Sequence, residues 1–254
     1  MEANIILAGV GGQGILSMAY ILSQTALDKG LNVKQSEVHG MAQRGGAVES
    51  HLRISARPIA SDLIPRGSCN LLISVEPLEA TRYLDFLAPN GIVVTSMTPY
   101  KNIPDYPSFS AIWKGLEGVR TVIPMEAESL AKQAGSALAQ NTVLIGAASV
   151  FLDFPEGSLE ACIGNAWRRK GERVVETNLK AFASGRKMAR FLAAAAEKKI
   201  PREALHLLAA ILPVDRLDSL PPAQWADSFT GKPRDRWEEM IRTRLASESR
   251  AASV

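Results

Sequence analysis

The run Gly9-Val10-Gly11-Gly12-Gln13-Gly14 follows an apolar stretch, Asn4–Ala8, and opens a helix-periodic one. In that setting glycines shape a turn around an anion. Gly9, Gly11 and Gly14 match the G-x-G-x-x-G spacing between a strand and a helix. The first glycine allows a tight turn, the second clears the way for close approach, and the third lets helix and strand pack closely. The helix amino terminus then offers unpaired N–H groups and partial positive charge to a phosphate or carboxylate. An acid ending the second strand would complete a ribose-binding fingerprint, and Glu37 stands there. The plainer alternative is a tight turn whose glycines only let it pack against another subunit. No Gly-Lys-Ser/Thr follows, which disfavours nucleotide hydrolysis by a phosphate-binding loop.

A second run, Ser36-Glu37-Val38-His39-Gly40-Met41-Ala42-Gln43-Arg44-Gly45-Gly46, falls where the second strand should end. His39, Gly40, Met41, Gln43, Arg44 and Gly45 crowd directly behind Glu37, leaving little room for an adenosine pocket. The density suits a rigid loop making specific contacts with a partner or an anionic group. Arg44 could clamp a phosphate or carboxylate bidentately, and His39 could hydrogen-bond or titrate. Taken singly, His39 also reads as an ordinary loop histidine and Arg44 as a surface ion pair.

Strands and helices must place both runs on one rim. Asn4–Ala8 reads as a buried strand, and Ile15, Leu16, Ala19, Ile21, Leu22 and Ala26 mark a helix ending at Lys29-Gly30. Asn32–Glu37 is the next strand, giving a βαβ pattern, and Val38–Gly46 reads as loop. Ala47–Ile54 follows too closely for a helical crossover and should pair antiparallel, making the sheet mixed. Asn70–Val75, Gly91–Thr95 and Val119–Ile123 read as further strands. Pro77–Leu87, Glu126–Leu138, Asn141–Phe151, Leu159–Trp167 and Val175–Ala196 read as helices. The stretch Thr98–Gly118, broken by Pro99, Pro104 and Pro107, reads mainly as loop. The expected fold is a three-layer α/β/α, Rossmann-like mixed sheet over residues 1–195. Residues 196–254 form an expected helical C-terminal extension, in which Trp225, Phe229 and Trp237 suggest a packed segment rather than a free tail.

Composition narrows the function. The 254-residue chain has 46% hydrophobic and 22% charged residues and a formal net charge of +3, which gives no basic stripe for nucleic acid. Two cysteines, Cys69 and Cys162, lie far apart, so a self-contained iron–sulfur cluster or structural zinc site is not expected. No apolar run approaches the roughly 20 residues that span a bilayer. The amino terminus shows no export signal, so a cytoplasmic protein with reduced thiols is expected.

Gly9–Ile15, Ser36–Gly46, Leu63-Ile64-Pro65, Glu76-Pro77-Leu78-Glu79-Ala80 and Asn178-Leu179-Lys180-Ala181-Phe182 together carry a resemblance over residues 3 to 190. In order and spacing they resemble the gamma-type domain of 2-oxoacid:ferredoxin oxidoreductases, and within it the beta subunits of indolepyruvate ferredoxin oxidoreductases. The resemblance implies a subunit of a complex that oxidatively decarboxylates an aryl-2-oxoacid. Coenzyme A would accept the acyl group and ferredoxin the electrons. Thiamine diphosphate and 4Fe-4S clusters would reside on a large alpha subunit, so this chain would bind no cofactor alone and would be inactive alone. Its Gly9, Gly11, Gly12, Gln13, Gly14, Glu37, His39, Gly40, Met41, Gln43, Arg44 and Gly45 would form one wall of a shared site. No nucleic-acid or membrane partner is expected. The alternatives are a stand-alone NAD(P)-binding oxidoreductase, supported by the glycines and Glu37, and a pure docking module. The stretch after residue 195 exceeds what a minimal family member needs.

Overall fold

The computed structural model describes residues 1–39, 45–101, 103–229 and 231–251. Six strands form one mixed sheet: β1 (Glu2–Val10), β2 (Asn32–His39), β3 (Ala47–Ser55), β4 (Cys69–Ser74), β5 (Leu87–Ser96) and β6 (Thr121–Met125), in the order β2-β3-β1-β4-β5-β6. β3 runs antiparallel to both β1 and β2, while β1, β4, β5 and β6 are parallel. The short connection after β2 thus makes a hairpin with β3, as its length requires. The βαβ reading needs one correction: β3 is inserted between β1 and β2, so those strands share a direction but not a ladder.

Alternation along β1 sends Ile5 and Leu7 to one face and Ile6 and Ala8 to the other. Helices α1 (Ile15–Leu27), α2 (Pro77–Arg82), α3 (Phe109–Gly115), α4 (Ala127–Ala134), α5 (Gln140–Ala148), α6 (Ser158–Trp167) and α7 (Glu172–Glu197) divide between the faces. The larger core packs α1, α4, α5, α6 and α7 against Ile5 and Leu7. The smaller packs α2 and α3 against Ile6 and Ala8 through Ala80, Trp113 and Leu116. α3 lies inside the stretch read as loop; its Ser108 cap accepts from the Ala111 N–H, and its buried Ile112 and Trp113 outweigh the prolines preceding it. Other boundaries shift for local reasons. α2 stops at Arg82, and α4 ends at Gly135, whose φ is 122°. Pro89-Asn90-Gly91 is absorbed into β5 by a register shift opposite Cys69 and Leu71. β6 carries Pro124, tolerable because it is an edge strand.

Three further helices follow: α8 (Arg202–Ile211), α9 (Ala223–Phe229) and α10 (Trp237–Ala251). Trp225, Phe229, Trp237 and Ile241 are buried in the larger core. α8 sends Leu205 and Leu208 into that core, yet its Arg202 donates to the Leu116 and Val119 carbonyls on the opposite side. His206 stacks near Phe109 and Trp113 and bonds Glu126 at 3.0 Å. A helix touching both faces beside the last strand must cross its free edge, so α8 covers β6. Burial lowers the pKa of the Arg202 guanidinium. Replacing Arg202 by alanine is expected to lower stability by about 1 kcal/mol in urea unfolding, since the Val119 carbonyl loses its Arg202 donor while the Leu116 carbonyl keeps the Val119 N–H.

Candidate functional site

The rim at the carboxyl end of β1 brings the two glycine runs into contact. Val10 pairs with Ala47, and the Gly11 N–H donates to the Gly46 carbonyl at 2.8 Å. The returning bond, Gly45 N–H to Gly11 carbonyl, is 3.5 Å. The second run therefore begins in β2, and its last residues, Gly45 and Gly46, are tied to the glycine turn just before β3. β1 also stands where the chain passes to the other half of the sheet: β2 and β3 lie on one side of it, β4 on the other. In open α/β folds that switch point is where ligands lie.

Each residue of the first run has a visible reason. Gln13 folds back, its Oε1 accepting the Val10 N–H at 2.8 Å while its own N–H reaches the Val10 carbonyl at 3.0 Å. A Cβ on Gly9 would lie 3.0 Å from that Oε1 and 2.8 Å from Ile15 Cδ1, so a larger residue would push against the folded-back Gln13 and the end of Ile15. Gly12 has a φ of 98° in open space at the exposed tip. Gly14 caps α1 with a φ of 84°, and a Cβ there would lie 2.5 Å from Asn141 Nδ2. The third glycine thus clears room for a neighbouring helix, α5, rather than for the strand. α1 starts without a side-chain cap and without an acid in its first turn, leaving its end electropositive.

Glu37 is half-buried in β2 and pairs with Ser50. Because β3 intervenes, it stands two strand spacings, about 10 Å, from β1. A ribose hook needs the acid on the strand next to the glycine turn, so the geometry separates the two halves of the dinucleotide fingerprint. His39 is the last residue of β2, opposite Val48, rather than part of a loop. Gly40, Met41, Gln43 and Arg44 lie outside the described residues.

Sequence reasoning missed a neighbouring cluster. Glu76, buried after β4, caps α2 by accepting the Glu79 N–H at 2.9 Å through Oε2. Its Oε1 accepts from the Tyr100 N–H at 3.3 Å and from the Tyr106 hydroxyl, pinning the segment after β5 to the rim. Burial first, and the Glu76 carboxylate second, raise the pKa of the Tyr106 phenol. Burial likewise raises that of Glu79, opposed by Arg82 at 3.0 Å. Only the acid-proline pair at residues 76 and 77 hinted at the cap; nothing local announced Tyr106, thirty residues on. The two cysteines are buried away from this rim: Cys69 begins β4 at its opposite end, its thiol pushed up to about 12 by burial, and Cys162 bonds the Ile21 carbonyl. Among the described residues no helix is long and apolar enough to cross a membrane.

Comparison with known proteins matches residues 4–188 to the family model described as pyruvate ferredoxin/flavodoxin oxidoreductase. Indolepyruvate oxidoreductase subunit IorB of Archaeoglobus fulgidus is 39% identical over 196 residues, covering 73% of this chain and 94% of that protein. The same subunit of Methanothermobacter thermautotrophicus is 38% identical, covering 73% and 96%. The chain also matches ketoisovalerate oxidoreductase subunit VorA of the latter organism at 27% identity, covering 74% of this chain but 37% of that longer one. In fold it resembles a 2-oxoglutarate:ferredoxin oxidoreductase from Magnetococcus marinus, with a TM-score of 0.60 at 23% identity, covering 74% of this chain and 31% of that one. A keto/oxoacid ferredoxin oxidoreductase gamma subunit from Geobacter sulfurreducens gives 0.53 at 24% identity, covering 74% and 98%. With its paired glycine runs, its mixed sheet and these relatives, the chain belongs to the pyruvate ferredoxin/flavodoxin oxidoreductase family.

Proposed function

We propose that this chain is the non-catalytic subunit of a cytoplasmic 2-oxoacid:ferredoxin oxidoreductase acting on an aryl-2-oxoacid of the indolepyruvate type. The observation that carries the reading is the match at 35–39% identity, over nearly their full length, to four subunits named indolepyruvate oxidoreductase subunit IorB. In the proposed reaction the oxoacid loses carbon dioxide, its acyl group passes to the coenzyme A thiol, and ferredoxin takes the electrons. Thiamine diphosphate and 4Fe-4S clusters belong to a large alpha subunit. This chain contributes the rim, with the electropositive start of α1 facing coenzyme A or the partner and Arg44 as the candidate clamp for its anionic groups. The Magnetococcus enzyme is described with coenzyme A and succinyl-CoA bound, which supports that choice of acyl acceptor. Residues 1–195 are the family unit in this reading and 196–254 an addition, supported by the family match ending at residue 188.

Affinity purification of the full chain under anaerobic, reducing conditions is expected to bring down a large partner bearing thiamine diphosphate and clusters. Recovery of the chain without such a partner would sink the proposal. In the assembled complex, Gly12→Ala and Arg44→Ala separate two roles for the rim. A raised coenzyme A requirement with assembly intact marks a ligand wall, and lost assembly alone marks a docking surface.

A further inference from the structure

The glycine turn is held from behind by a buried line of polar groups. Gly14 gives its carbonyl to the Met18 N–H at 3.1 Å, the first bond of α1. The same oxygen receives Asn141 Nδ2 at 3.5 Å, from the first turn of α5. Asn141 Oδ1 is occupied by the Thr142 N–H at 2.9 Å, which leaves only the amide nitrogen to face Gly14. Thr142 Oγ1 donates to Asn178 Oδ1 at 2.6 Å, and Asn178 Nδ2 in turn donates to the Val174 carbonyl at 2.8 Å inside α7. Asn141, Thr142 and Asn178 are all buried. Each amide has one orientation that satisfies its neighbours, so the line has a single arrangement.

We infer that Asn178 and Thr142 are positioning residues for the glycine turn, acting through Asn141 on Gly14 and so on the aim of the first turn of α1. The inference rests on the proposed role of the rim and says which residues, remote from it, set its geometry. Gly14 sits in a left-handed conformation with no side chain to hold it, and α1 begins without a side-chain cap. Asn141 is the one side chain that bonds it among the described residues. Asn141 is itself held at its amide oxygen by the Thr142 backbone N–H at 2.9 Å, and the Thr142 hydroxyl lies against the same oxygen at 3.4 Å. Thr142 is anchored across the α5–α7 contact, where Gly146 and Gly185 bring the two helices together backbone to backbone. A loosened anchor therefore appears as a loosened turn, with no residue of the rim altered.

Thr142→Val removes the hydroxyl while keeping the shape, and Thr142→Ser keeps the hydroxyl. In amide hydrogen exchange on the full chain, Thr142→Val is expected to speed exchange of the Met18 amide about tenfold relative to β1 and β4 amides. Thr142→Ser should return it to within about twofold of the parent. In the complex, Thr142→Val should raise the KM for coenzyme A several-fold with kcat little changed, again rescued by serine. A merely structural threonine would speed exchange throughout the sheet, or leave Met18 unchanged, and either result overturns the inference. Exchange on the isolated chain reports on the relay alone. Failure to find a partner would remove the functional reading without touching that result. A Met18 effect with an unchanged KM would instead refute the link from relay to ligand.

Discussion

Replacing Gly185 by alanine is expected to destabilise the fold by about 3 kcal/mol or more, the upper end of what overpacking does. Gly185 of α7 faces the Val143 carbonyl of α5, and Gly146 of α5 faces the Phe182 carbonyl of α7. A Cβ on either would fall inside backbone atoms of the opposite helix, not against the yielding end of a side chain. The helices would have to separate, along the contact that anchors Asn178 and closes the larger core. Chemical denaturation measures the loss. Gly164→Ala is the matched control: that glycine lies in α6 with nothing within 4 Å of a built Cβ. There alanine should stabilise by roughly 0.5–1 kcal/mol through helix propensity and the unfolded chain.

The second large effect is expected at Glu76. Glu76→Ala removes the acceptor of three donors, the buried Glu79 amide and the part-exposed Tyr100 amide and Tyr106 hydroxyl. Hydrogen bonds to a charged acceptor contribute about 1.5–3 kcal/mol when buried and do not add fully, and water can replace the two outer ones, so a loss of roughly 2–3 kcal/mol is expected. Tyr106→Phe removes one of the three and should lose about 1–2 kcal/mol. Alkaline unfolding gives an independent measure. The Tyr106 pKa is raised in the folded protein, so the unfolded chain ionises first as pH passes ~10. Above that pH the unfolded state holds fewer protons than the folded one, and this contribution to stability falls as pH rises. Tyr106→Phe should flatten the fall; an unchanged alkaline slope would exclude the half-buried phenol as its source.

The sheet was legible in the chain wherever pattern and punctuation agreed. Asn4–Ala8 with the glycines behind it fixed β1 and α1, and the short span to Ala47 fixed the hairpin. Insertion of β3 beside β1 is a long-range choice that no local period encodes, and it decides that Glu37 stands away from the glycine turn. α3 was hidden because Pro99, Pro104 and Pro107 dominate composition just before it, while tertiary burial of Trp113 and Leu116 supports the helix. At the site, the strand–turn–helix made by Gly9, Gly11 and Gly14 could be read from their spacing. Asn141 could not: it is 127 residues from Gly14 in sequence and meets it only once α5 has packed.

The bond between Gly11 and Gly46 has a consequence for the order of events in folding. β2 and β3 are joined locally and can pair early, within microseconds for a hairpin. β1 meets β3 only when that hairpin arrives across a longer loop, a slower closure that topology places later. The rim where both glycine runs touch is therefore complete only in a chain whose hairpin has docked. Any ligand or partner that engaged both runs at once would therefore distinguish a finished chain from one whose hairpin is still undocked.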